Sequence, residues 1–134
     1  MTSADVEIAD IIIDCSDPER VASFWAELLD RQVEGRMGPY VWLDRPEGRV
    51  GVGFQGVVEA KTGKNRVHID IAVPDVLASK TKVESLGGWR VHGYEEGGFL
   101  VMADPEGNEF CLIPVTPLRF NDDGRADYLD GLAI

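Results

Sequence analysis

Basic residues are scarce in this chain. Thirteen Lys and Arg stand against 24 Asp and Glu over 134 residues, for a formal net charge of −11. Nucleic acids and anionic membrane surfaces are both recognised by clustered Lys and Arg, so the balance argues against either partner. Cysteine is scarce too. Cys15 and Cys111 form no CxxC pair, which speaks against a disulfide framework and for a reducing, cytoplasmic setting. No apolar run approaches the roughly 20 residues of a membrane-spanning helix. The opening stretch, residues 1–7, is polar and acidic, without the basic and apolar regions of a signal peptide. No glycine-rich loop leads into a helix, so Pro46-Glu-Gly48 and Pro105-Glu-Gly107 read as turns rather than phosphate loops.

What the chain does have is repetition. Asp10-Ile-Ile-Ile-Asp-Cys-Ser-Asp17 is echoed by His68-Ile-Asp-Ile-Ala-Val-Pro-Asp75, 58 residues later. The spacing holds through Leu28/Leu86 and Val33/Val91. A second echo, at 59 residues, sets Tyr40–Gly48 against Phe99–Gly107. A repeat of this size defines an architecture and shows which positions correspond in its two halves.

Each half reads as βαβββ. An Ile-rich run at 8–15 suits a strand. Asp17-Pro18-Glu19 then supplies a capping carboxylate, proline at the first helical position and acid in the first turn. Val21, Phe24, Trp25, Leu28 and Leu29 form one apolar helix face, and Phe24 and Trp25 belong to the core. Strands broken by turn formers follow to residue 57, among them Val50–Gln55, whose glycines would permit close backbone approach. The second half repeats the order: a strand at 67–73, a weaker helix ended by Gly87-Gly88, and strands near 90–94, 98–103 and 109–113. The modules span about 7–57 and 66–114, joined by a polar linker at 58–65. Residues 115–134 form a tail, in which Arg125–Leu132 suits a short helix and Leu129, Leu132 and Ile134 suit docking.

Strand alternation assigns faces. Ile11, Ile13, Ile69, Ile71 and Val73 would pack against the helices. Asp10, Ile12, Asp14, His68, Asp70 and Ala72 would then share the other face, where polar groups must meet water or a cavity.

The doubled module, the Val67-His-Ile-Asp70 opening of the second half and the closing Asp104-Pro-Glu-Gly-Asn-Glu-Phe-Cys-Leu-Ile113 resemble the vicinal oxygen chelate superfamily. That superfamily includes glyoxalase I, bleomycin-resistance proteins and extradiol dioxygenases, and the small glyoxalase-like proteins look most similar. The resemblance covers roughly residues 7–114. It implies an α+β fold in which two tandem βαβββ modules form a curved mixed sheet around a concave cavity, with helices outside. It also implies a homodimer.

Metal-dependent members place one ligand on the first and one on the last strand of each module. By that spacing the four positions here are Asp10, Val52, His68 and Cys111, where His or Gln, Glu, His and Glu would be familiar. Val52 has no donor atom. Asp10, His68 and Cys111 could still hold a divalent cation such as Zn, Fe, Ni or Mn, with zinc best suited to the mixed donors. The sequence favours no cofactor and a decayed metal site.

The expected ligand-binding residues are Asp10, Asp14, Val52, Phe54, His68, Asp70 and Cys111, with His68 and Asp10 as candidate catalytic acid–base groups. Tyr40, Trp42 and Phe99 are either core or ligand-facing aromatics. Cys111 suits a small apolar filler better than a nucleophile, and Cys15 has no functional neighbour. His92 reads as surface or rim. The favoured function is binding of a small organic molecule, neutral or cationic given the Asp10, Asp14 and Asp70 cluster. The alternative is a lyase, isomerase or dioxygenase using His68. A third reading is an interaction module that dimerises through its tail. Fold alone does not choose among them.

Overall fold

In the computed structural model the two Ile-rich runs become strands β1 (Asp10–Cys15) and β5 (Ile69–Val73), each the opening of a βαβββ module. The structure describes residues 6–91, 99–115, 118–120, 122–124 and 126–128, with backbone only for 118–120 and 126–128. The chain divides into two compact units, Met1–Thr62 and Gly63–Ile134. The fold is α+β: each unit lays one helix on a four-stranded mixed sheet.

In the first unit, α1 (Pro18–Leu29) follows β1, then come β2 (Val33–Met37), β3 (Tyr40–Leu43) and β4 (Gly51–Gly56). The strand order is β1-β4-β3-β2, with β1 and β4 parallel and the other pairs antiparallel. The Asp17 carboxylate accepts from the backbone N–H of Arg20 at 3.2 Å, one of the donors a helix start leaves without a partner. Val21, Ala22, Phe24 and Trp25 are buried, and the rings of Phe24 and Trp25 meet edge to face. The exposed side of the helix is tied to the sheet by a two-pronged Arg36–Glu19 pair, at 2.5 and 3.0 Å.

The second unit repeats this with α2 (Val76–Ser85), β6 (Trp89–Arg90), β7 (Leu100–Ala103) and β8 (Glu109–Pro114) in the order β5-β8-β7-β6. Asp75 caps α2 as Asp17 caps α1, accepting from Ala78 N–H at 3.0 Å. The helix ends where the two glycines suggest. Gly87, at φ +99°, donates to Glu84 C=O, and Gly88 donates to Val83 C=O. That pair of bonds closes the last turn and requires the left-handed residue at 87.

The Asp104-Pro-Glu-Gly-Asn108 turn is built around one carboxylate. Asp104 is fully buried. Its Oδ1 accepts from the backbone N–H of Glu106 and Asn108 at 2.9 and 3.0 Å, and its Oδ2 from Asn108 Nδ2 at 3.1 Å. The charge is stabilised by this cage of donors, so the motif shapes the β7–β8 turn.

The tail departs from expectation. Ala126–Tyr128 (β10) is a strand, pairing antiparallel with Leu118–Phe120 (β9), where a helix over 125–132 was expected. Asp122–Gly124 lie in the turn between them, with Gly124 at φ +74°. Those turn residues favour a hairpin over a helix start. Leu129, Leu132, Ile134 and His92 lie outside the described residues. Among those described, no helix is long and apolar enough to cross a membrane.

Candidate functional site: the open face of the second module

Strand register decides what each sheet face carries. In the second module Ile69 pairs with Phe110, Ile71 with Leu112 and Met102 with Phe110, and this row is apolar and packed. The opposite row joins Asp70, Cys111 and Val101, which are direct partners across β5, β8 and β7. His68, just before β5, adds its ring to that row.

A cavity of about 610 Å³ opens on this face. Val91, Phe99 and Val101 form an apolar wall, while Lys64, Asn65, His68, Glu109 and Cys111 bring polar atoms. The Asn65 backbone N–H donates to Glu109 Oε2 at 2.9 Å, which fixes that carboxylate against the segment entering β5.

Three of the cavity-face groups converge. His68 Nδ1 stands 3.4 Å from Asp70 Oδ1 and 3.8 Å from Cys111 Sγ. The donor atoms of all three lie within 4.8 Å of one another. Asp70 and His68 are half exposed, whereas Cys111 is 5% exposed. Burial first, and then the Asp70 charge, push the Cys111 thiol up to about 11, with Lys64 pulling weakly the other way. Cys111 is therefore a neutral thiol at physiological pH, which removes it as a free thiolate nucleophile.

The first module presents a different face. Val52 pairs with Ile11, and Phe54 with Ile13 and Val41, so both belong to the buried row on which α1 packs. Val52 is 7% exposed and Phe54 not at all. This corrects their expected role in ligand binding: they are core. The position matching Cys111 is Gly53, because Gly53 pairs with Ile12 and Trp42 as Cys111 pairs with Asp70 and Val101. One additional residue between the turn glycine and the last strand of the first module shifts the spacing by one. A one-residue shift in a strand exchanges its two faces.

The open row of the first module is filled by side chains. A Cβ on Gly53 would stand 2.6 Å from Trp42 Cδ1 and 2.9 Å from Ile12 Cδ1, so the indole lies over the glycine. Tyr40 stacks on Trp42 with ring centroids 5.3 Å apart. A Cβ on Gly51 would overlap Asp10 Oδ1, and the Asp10 carboxylate accepts from Arg45 Nη2 at 2.9 Å. The glycines thus make room for side chains rather than for a neighbouring backbone. Asp10 is engaged by Arg45, and Asp14 is exposed at the end of β1.

Of the seven expected ligand-binding residues, the structure brings His68, Asp70 and Cys111 together. Sequence reasoning missed Lys64, Asn65, Val91, Val101 and Glu109. Val101 and Glu109 had a usable signal, since they share strand parity with Phe99 and Cys111. Lys64 and Asn65 lie in the linker, where no periodicity exists to place them. The four-ligand metal set that the resemblance implies does not fit these residues. Gly53 and Val52 offer no donor, and Arg45 occupies the Asp10 carboxylate.

Residues 10–113 match the glyoxalase-like domain family, and the chain belongs to it. Solved structures share the fold. A glyoxalase/bleomycin resistance protein/dioxygenase family enzyme from Burkholderia phytofirmans PsJN aligns with TM-score 0.64 at 18% identity, covering 80% of this chain and 97% of that one. A glyoxalase-related enzyme from Fulvimarina pelagi aligns with TM-score 0.63 at 17% identity, covering 91% and 97%. The trypanothione-dependent glyoxalase I of Leishmania major aligns with TM-score 0.63 at 20% identity, covering 82% and 87%. Among curated proteins, none matches in sequence. The fold class is that of the glyoxalase/bleomycin-resistance/dioxygenase proteins, a group that includes enzymes.

Proposed function

We propose that this glyoxalase-like protein binds a small organic molecule in the cavity of its second module, without the four-ligand metal set. The supporting observation is the cavity itself: about 610 Å³, lined by the apolar Val91, Phe99 and Val101 and by polar groups of Lys64, Asn65, His68 and Glu109. Ligand sites fall at roughly 300–1,000 Å³ and combine apolar walls with a few placed polar groups. The ligand is neutral or cationic. Lys64 is offset by Glu109 at the cavity and by Asp70 beside it, and Asp70 acts on Cys111 more strongly than Lys64 does.

Thermal-shift screening with neutral, cationic and anionic organic compounds tests this, with calorimetry on the hits. Val101→Trp copies the residue that fills the matching place in the first module, and it should abolish the shift while circular dichroism stays native. A screen without a single stabilising compound, or equal binding by the Trp variant, would sink the reading. A preference for anions would overturn the charge assignment.

A second reading is supported by His68 beside Asp70 at the cavity edge. An imidazole beside a carboxylate suits proton transfer, as a lyase, isomerase or dioxygenase would use. Turnover abolished by His68→Ala, with ligand binding retained, would separate catalysis from binding.

A further inference from the structure

We propose that His68, Asp70 and Cys111 form a three-donor cation site contained within the second module, suited to a borderline cation of the zinc type. It goes beyond organic-ligand binding, and its probe is the metal alone.

The geometry points to convergence on one atom rather than to a chain of proton transfers. In a relay the imidazole presents one ring nitrogen to each partner. Here a single nitrogen, Nδ1, faces both the Asp70 carboxylate and the Cys111 sulfur. All three donor atoms lie within 4.8 Å of one another, close enough to share one cation.

The spacing fits. With bonds of about 2.0–2.2 Å to N and O and about 2.3 Å to S, the edges of a tetrahedron around zinc run about 3.3–3.6 Å. The observed separations are 3.4 Å for N···O and 3.8 Å for S···N. The O···S pair lies within 4.8 Å, so side-chain rotation must draw the donors together by up to about an ångström to reach that figure. The donors need no long-range assembly: His68 and Asp70 are neighbours on one strand face, and Cys111 is the direct cross-strand partner of Asp70.

The donor set decides the metal class. One thiolate, one imidazole and one carboxylate suit zinc or cobalt, and they are poor for magnesium, which keeps oxygen ligands and waters. The half-exposed His68 and Asp70 leave an entry path from solvent, and His68 and Cys111 face the cavity. A cation there would be a Lewis acid at the cavity wall with an open fourth position.

This differs from the superfamily pattern in a way that can be measured. Asp70 occupies none of that pattern's four positions. Gly53, at the position matching Cys111, has no side chain, and Asp10 is held by Arg45.

Zn²⁺ and Co²⁺ titrated into the apo protein under reducing conditions provide the test. The expected results are 1:1 binding by calorimetry, a raised melting temperature, and a sulfur-to-cobalt charge-transfer band. Asp70→Asn, on an exposed carboxylate, and Cys111→Ser, nearly isosteric, should each weaken binding by about tenfold or more, the lower end of what even a lost outer-shell partner costs. Circular dichroism confirms that both fold. Three outcomes overturn the proposal: wild-type protein that binds neither ion, binding that survives Asp70→Asn, or an equal loss in Asp10→Asn, which would mean a site using the first module.

Discussion

The indole of Trp42 lies where Gly53 has no side chain. A Cβ on that glycine would stand 2.6 Å from Trp42 Cδ1, closer than carbon atoms tolerate. The matching pair in the second module is Val101 beside Cys111. A valine reaches less far than an indole, and the cavity opens there. The two modules therefore share a backbone and differ in whether the open sheet face is filled.

Gly53→Ala should cost about 1–3 kcal/mol, the range for forcing a methyl into a packed site. Trp42 is a rigid ring and Ile12 a short side chain, so neither gives way easily. Urea denaturation measures the loss. Trp42→Val in the same chain should recover at least half of it, as contacting residues couple. A neutral Gly53→Ala would show that the indole does not depend on the glycine.

Cys111 should be slow to alkylate. With its thiol pushed up to about 11 by burial and by Asp70, the thiolate is rare at pH 8. Iodoacetamide should modify it on the order of 100-fold more slowly than an ordinary peptide thiol, the ratio of the two thiolate fractions. The sign for stability follows from the same shift. The folded value lies above the unfolded value of 9.0, so the contribution is complete below pH 9 and is lost as pH rises toward about 11. Across that window the wild type should lose about 2–3 kcal/mol more than Cys111→Ala. Parallel pH curves for the two proteins would refute this.

Asp104→Ala should cost on the order of 3 kcal/mol, because two half-buried backbone N–H groups and the Asn108 amide lose their acceptor. Asp104→Asn keeps an oxygen for the Glu106 and Asn108 N–H groups and loses the Asn108 side-chain contact. It should cost less than half as much. Equal losses in the two variants would mean that the charge, not the turn geometry, stabilises this segment.

The fold was legible because its signals are local. Asp17 and Asp75 cap helices, Gly87-Gly88 ends one, and the Ile alternation sorts two faces. The site was legible only where counting along a strand sufficed. His68 and Asp70 are two residues apart, so their shared face followed directly. Val52 and Phe54 were misplaced because the 59-residue spacing of the Pro-Glu-Gly turns does not carry into β4. One residue of slack after Gly48 returns the spacing to 58, and parity magnifies that into the wrong face. Arg45 was invisible as a partner of Asp10, since 35 residues separate them and no strand period connects a turn to β1. In the tail, local composition suited a helix, whereas Ala126–Tyr128 pairs with Leu118–Phe120 across a turn.

The filling of one sheet face and not the other also sets how the protein reports on itself optically. Of three tryptophans, Trp25 is on the buried face of α1, Trp42 lies over Gly53 and Trp89 is 45% exposed on β6. None lines the cavity. Intrinsic emission is therefore weighted toward the first module, and a molecule entering the cavity of the second meets no indole along its lining.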